Sequence, residues 1–237
     1  MCARAKLVTD ISEIKLAFRI PGPPINVPPR WNGAPTQDFP IIRRNFDTGM
    51  RSLDLLRWGL VPRWADGEKV AFATINAKSE TLATTASFRD AWRGGRRCII
   101  PLDAFYEWKT LPGGRKQPYA ISRIDGRLMA VAGLWEGKRL SDGSILRTFT
   151  IITTAANALL AKLHDRMPVV LDEADIPVWL GEIEASLEAV RALLKPCPAT
   201  WLKLTPVDMR MSNVRNQDAV DCQPVGEPIT SGEDLAP

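Results

Sequence analysis

Histidine occurs once in the 237 residues, at His164, and the four cysteines at Cys2, Cys98, Cys197 and Cys222 show no C-x-x-C spacing. One imidazole and scattered thiols cannot assemble a zinc site, so no metal, no cofactor and no disulfide framework is expected. Long apolar runs are missing too. Leu128 to Trp135 and Phe149 to Ile152 fall far short of the roughly 20 residues that span a bilayer. No apolar stretch with a cleavage site follows the amino terminus, so no membrane association is expected and a cytoplasmic location is. Charge of one sign is scarce: 31 Lys and Arg oppose 27 Asp and Glu, a net +4. The acidic tail hides a more basic body, which suits a phosphate-bearing partner.

What is present is an ordinary globular composition, 45% hydrophobic, enough for one well-buried core. Strand-like runs at 41–43, 53–58, 98–101, 105–109, 119–124, 128–134 and 148–153 are separated by Gly, Pro and Asp turn signals. Helical spacing is found at 13–19, 87–94, 155–164 and 172–194. These patterns predict an α+β fold: a single domain over 1–224 around a curled, barrel-like mixed or antiparallel sheet, with helices outside. Residues 20–37, rich in Pro, Gly and Asn, read as a loop, and 225–237, with little to bury, as a disordered tail.

Several residues carry chemistry. Cys2 is small enough for an aminopeptidase to remove Met1 before it, which would expose an α-amine and a thiol on adjacent carbons. Such a pair condenses with an aldehyde to a Schiff base and then closes a thiazolidine ring. Their ordinary pKa values, near 8 and 8.5, leave a useful reactive fraction at neutral pH if the site lowers either one modestly. The plain alternative is a thiol packed as a small apolar residue. His164 stands beside Asp165 and Arg166, where an imidazole suits proton shuttling and a guanidinium suits a phosphate; a hydrogen-bonded structural histidine is the alternative. In Phe105-Tyr106-Glu107-Trp108-Lys109, alternation places Glu107 on the face of Phe105 and Lys109, opposite Tyr106 and Trp108. Its carboxylate either finds a partner, has its pKa raised, or faces water from an edge strand. Asn76 is either a turn residue or a group that orients a substrate. Eight tryptophans accompany two tyrosines, and Trp58, Trp64 and Trp108 lie among Arg and Lys, as in proteins that stack unpaired bases, although most tryptophans are core.

Taken together, Met1-Cys2-Ala3-Arg4, Arg30-Trp31-Asn32-Gly33-Ala34-Pro35, Trp58-Gly59-Leu60-Val61-Pro62, Ile75-Asn76-Ala77-Lys78-Ser79-Glu80-Thr81, Arg97-Cys98-Ile99-Ile100-Pro101, Phe105-Tyr106-Glu107-Trp108-Lys109, Ala132-Gly133-Leu134-Trp135 and His164-Asp165-Arg166-Met167-Pro168 resemble the SRAP (SOS-response-associated peptidase) family of abasic-site processing proteins. The resemblance covers almost the whole folded chain. It implies that Cys2 crosslinks to abasic sites in single-stranded DNA, that Asn76, Glu107 and His164 complete the catalytic set, and that Arg4, Trp64, Lys78, Trp108 and Arg166 contact DNA. It also implies weak lyase activity and a crosslink that Glu107 can reverse. The older family label refers to removal of the initiator methionine by the protein itself. Ala3, Gly33 and Lys78 depart from the usual Gly, Val and Arg, and Lys cannot make the planar two-point phosphate contact of Arg.

A monomer is expected, associated with the nucleoid when bound to DNA. Two rival classes remain open on the same residues: an N-terminal-nucleophile or thiol hydrolase acting on amides, and a non-catalytic single-strand nucleic-acid binder. The covalent chemistry requires a free amine at Cys2, so intact-mass measurement of active protein should show a chain lacking Met1; retained Met1 in active material excludes it.

Overall fold

In the computed structural model, which describes residues 2–65 and 69–232, twelve strands take up the apolar runs. They are β1 (Ala5–Leu7), β2 (Arg30–Gly33), β3 (Asp38–Arg44), β4 (Arg51–Trp58), β5 (Asn76–Lys78), β6 (Arg97–Leu102), β7 (Ala104–Thr110), β8 (Lys116–Arg123), β9 (Met129–Arg139), β10 (Ile145–Ala155), β11 (Arg166–Pro168) and β12 (Leu202–Pro206). Strands β10, β4, β3, β6 and β9 hydrogen-bond in that order, and β9 returns to β10, so the ring closes without an edge. Within the ring only the β10–β4 pair is parallel, which makes the barrel mixed. The curled sheet expected from the sequence is this ring.

A second sheet, ordered β12-β8-β7-β1-β2, grows out of the first. Strands β6 and β7 are separated by Asp103 alone, whose carboxylate accepts from the Val8 and Thr9 backbone N–H groups. That clamp ties the chain after β1 to the bend and carries Glu107 from the ring to the second sheet.

Alternation along the strands fills two cores. Phe39, Ile41, Trp58, Cys98, Ile100 and Phe149 pack with Phe105, Ile121, Leu202 and Leu204 of the second sheet. Ile42, Ile99, Ala132 and Ile152 face outward under the helices, so the ring's strands are apolar on both faces. The inner core is knit by aromatic contacts: Trp58 stacks on Phe149 at 6.1 Å, and Phe39 meets both rings edge-on at 5.7 and 6.2 Å. Each such contact contributes about 0.5–1.5 kcal/mol beyond simple burial.

Helices are shorter than the sequence periodicity suggests: α1 (Ile11–Ala17), α2 (Arg89–Arg93), α3 (Ile176–Leu180) and α4 (Leu187–Ala192). The helix expected over 172–194 is broken because Gly181 turns left-handed at φ 75° and Ser186 starts α4 by accepting from the Ala189 N–H. The one expected over 155–164 is absent: Ala155 still pairs with Arg166, and only a short 3-10 turn over Leu160–Lys162 follows. The loop expected over 20–37 contains β2. The tail expected from 225 is instead paired to the domain at Val225 and Ile229. Val225 N–H donates to the Pro206 carbonyl, and Ile229 exchanges both backbone hydrogen bonds with Leu204. The remainder of that tail, 233–237, lies outside the described residues, as does Met1. Among the described residues no helix is long and apolar enough to cross a membrane.

Gly133 sits where β6, β9 and β10 meet. A Cβ there would lie 2.5 Å from Ile100 Cδ1 and 2.6 Å from the Thr150 carbonyl oxygen, whereas at Gly137 on the same strand the nearest atom is 3.4 Å away. Gly133→Ala should therefore destabilise the fold by about 1–3 kcal/mol, with Gly137→Ala close to neutral, as read by thermal or urea denaturation.

Candidate active site

Two strand pairings converge on the carboxyl-terminal half of β10. Parallel pairing of β5 aligns Asn76 with Ile151, and antiparallel pairing of β11 aligns Arg166 with Ala155, just beyond His164. Trp58 fixes β5 from below, since its Nε1–H donates to the Ile75 carbonyl that also receives the Ile151 N–H. From the other sheet, β1 aligns Ala5 with Phe105, and Tyr106 N–H donates to the Arg4 carbonyl. The chain before β1 thus runs alongside Glu107.

Cys2 is buried in the inner core. Asn76 Nδ2 donates to the Cys2 carbonyl at 2.9 Å, while Asn76 Oδ1 is buried and has no partner among the described residues. The Cys2 thiol points at the Arg4 carbonyl, Sγ to O 3.7 Å. Burial pushes this thiol well above its ordinary range; the negative charge of Glu107 adds to the rise, and the amino-terminal charge opposes it. The modest lowering that would ready the thiol at neutral pH is therefore corrected: desolvation outweighs it, and the sulfur here is held as S–H.

Glu107 is buried, on the Phe105 face as alternation requires. Burial raises its carboxyl above the usual 4.5, and the positive charges of the amino terminus and of His164 work against that rise. An edge-strand glutamate facing water is thereby excluded. His164 Nδ1 lies 3.0 Å from the Arg166 backbone N–H and 2.7 Å from Asp165 Oδ1. One nitrogen serves one of these at a time: the neutral ring accepts from Arg166, and the cation donates to Asp165. Either protonation state thus has a partner.

Cys2, Asn76, Glu107 and His164 are thus brought together. The residues assigned to DNA lie in varied settings. Lys78 is exposed at the end of β5. Arg166 is engaged: its guanidinium makes a two-point pair with Glu80 at 2.6 and 2.9 Å and donates to the Thr153 carbonyl. That pair pulls Glu80 down to about 2. Arg4 Nη1 donates to Asn32 Oδ1 at 3.0 Å and to the Met211 carbonyl at 3.4 Å. Trp108 Nε1–H donates to Ser212 Oγ. Trp64 is 57% exposed and flanked by Arg63, paired to Glu136, and by Ala65, whose carbonyl accepts from Lys138, so that it lies beside β9. Sequence reasoning missed the roles of Glu80, Asn32 and Ser212, which bond these side chains from distant parts of the chain. The Gly33 departure has a reason in packing: a Cβ there would fall 2.3 Å from Phe39 Cζ.

All four cysteines are free thiols. Among the described residues no group of three or more His, Cys, Asp or Glu is placed to hold a metal ion.

Comparison with known proteins places this architecture among relatives. The family described as SOS response associated peptidase (SRAP) matches residues 1–214. Abasic site processing protein YoqW of Bacillus subtilis is 37% identical over 218 residues, covering 91% of this chain and 96% of its own. Abasic site processing protein HMCES of Gallus gallus is 32% identical over 225 residues, covering 82% of this chain and 65% of its own. A solved structure of a Bacteroides thetaiotaomicron protein superposes with a TM-score of 0.83 at 22% identity, covering 94% of this chain and all of that one, and shares the fold.

A raised carboxyl is neutral below the unfolded value of 4.5 and is ionised at a cost as pH climbs toward the folded value. Stability linked to Glu107 is therefore fully present in acid and lost as pH rises through the folded pKa. Glu107→Gln should melt above the unsubstituted protein at pH 7–8, with the difference shrinking toward pH 4; a gap that widens in acid would contradict the raised carboxyl.

Proposed function

The chain belongs to the SOS response associated peptidase (SRAP) family, and from that premise we propose that it processes abasic sites in DNA by covalent capture at Cys2. The observation that carries the proposal is the assembly around this residue: a buried thiol beside a buried carboxyl, with the Asn76 amide bonded to the Cys2 backbone. While Met1 is attached, the Cys2 nitrogen is an amide. Its removal leaves an amine, for which the unpartnered Asn76 Oδ1 is a ready acceptor.

An abasic deoxyribose equilibrates with an open-chain aldehyde, His164 moving protons on and off the sugar hydroxyl as the ring opens. The amine attacks C1′ to form a carbinolamine, and Glu107, whose carboxyl burial raises above its ordinary range, supplies the proton with which hydroxide leaves as water. The resulting imine is attacked by the Cys2 sulfur; its S–H proton passes to nitrogen and the thiazolidine closes. Elimination of the 3′ phosphate from the imine before closure gives the weak lyase side reaction. The same carboxyl, protonating the ring nitrogen, reopens it for release.

The DNA is single-stranded in this reading. Lys78, Arg4 and Arg166 follow one backbone, and Trp64 and Trp108 stack on unpaired bases. For Arg166 the phosphate must displace Glu80. A thiol hydrolase of amides is less well supported, because it needs a thiolate and burial drives the thiol the other way.

On a single-stranded oligonucleotide treated with uracil-DNA glycosylase, the unsubstituted protein should give an adduct that survives denaturing electrophoresis without reductant. Cys2→Ala and Cys2→Ser keep the amine and lose the sulfur, so their adducts should survive only after borohydride reduction. Equal unreduced stability in all three would move the chemistry to another nucleophile.

A further inference from the structure

Asn32 is wholly buried, yet its side chain makes four hydrogen bonds to groups far away in sequence. Nδ2 lies 2.7, 3.0 and 2.9 Å from the carbonyls of Met211, Asn213 and Asn216, and Oδ1 accepts from Arg4 Nη1. The Asn32 carbonyl takes a further hydrogen bond from Gln217 Nε2. Three acceptors on one amide nitrogen close the segment 211–216 into a tight loop around it. Asn216 Nδ2 and Asn213 Oδ1, on the Arg210 carbonyl and the Arg215 N–H, brace it from within.

This loop sits against the proposed strand path on two sides. Ser212 Oγ receives the Trp108 indole N–H, and Trp108 is the residue after Glu107. Met211 shares Arg4, two residues from Cys2. At its tip Asn213, Val214 and Arg215 are exposed, and Arg215 makes no ion pair among the described residues. By contrast, Arg166 and Arg210 are both committed to carboxylates. A free guanidinium on a braced loop can bind a phosphate without first breaking an ion pair.

We propose that the 211–216 loop is a wall of the single-strand channel, with Arg215 contacting a backbone phosphate and Asn32 as the positioning residue that holds the loop in place. The inference rests on the reading of this chain as a DNA-binding protein, so its test uses an intact oligonucleotide and does not depend on crosslinking. Affinity for an unmodified single strand is measured against salt concentration by fluorescence anisotropy. Arg215→Ala, an exposed change that leaves the core untouched, should bind several-fold more weakly and flatten the plot of log K against log salt by about 0.7, the loss of one phosphate contact on a single strand; Arg215→Lys should restore most of the slope. Asn32→Ala should show the same flattening, and the double variant should fall no further than Asn32→Ala alone, because a displaced loop already removes the contact. Equal slopes for Arg215→Ala and the unsubstituted protein overturn the phosphate contact, and strictly additive losses in the double variant overturn the positioning role. If the unsubstituted protein fails to bind the strand at all, the DNA reading falls and this inference falls with it.

Discussion

The backbone of β10 is the constraint on which the rest depends. Its eleven residues pair in turn with β9, β4, β5 and β11, exchanging partners on both edges midway along. The first half closes the barrel, and the second holds the short strands that bear Asn76 and Arg166 and flank His164. A three-residue strand has too few hydrogen bonds to persist alone; β5 and β11 exist because β10 offers a rigid, already paired template. Site geometry and barrel closure are therefore one structural event.

Burial then sets the chemistry. Cys2 and Glu107 lie where burial opposes the ionisation of both, and the charge of Glu107 makes ionisation of the thiol harder still. In water the pair would be an unremarkable thiol and carboxylate. Within the core the carboxyl keeps its proton to higher pH, the form that the proposed capture would use to expel water from a carbinolamine, while the thiol stays neutral, so that its proton would travel with the proposed reaction. The stability lost by keeping Glu107 inside is of the kind found where function sets the residue.

Much of this was legible in the sequence. The long strands β3, β4, β6, β7, β8, β9 and β10 announce themselves by β-branched and aromatic runs, and alternation around Glu107 placed it on the Phe105 face. What could not be read were elements whose stability is borrowed. Strands β1, β2, β5, β11 and β12 are three to five residues long, too short for a period to show. The pattern over 172–194 is helical in spacing, but Gly181 and the Ser186 cap divide it, a backbone effect that periodicity does not weigh. The rise of the Cys2 thiol above its ordinary range was not legible, because it depends on how deeply the chain start is drawn into the barrel. Arg166 was expected to hold a phosphate from its residue type alone, while the carboxylate that pairs with it, Glu80, lies 86 positions away.

The contact between Gly33 and Phe39 carries an evolutionary implication. The ring of Phe39 fills the space a side chain at 33 would need and at the same time completes the aromatic cluster with Trp58 and Phe149. The two positions are thus alternatives for one volume: a family member with a branched residue at the first can accept only a smaller or rotated one at the second. Neither site is free to drift singly. A lineage passing between the two arrangements must cross an intermediate that is either overfilled or hollow at the centre of the barrel, so the pair should be inherited as a unit and mark subgroups within the family.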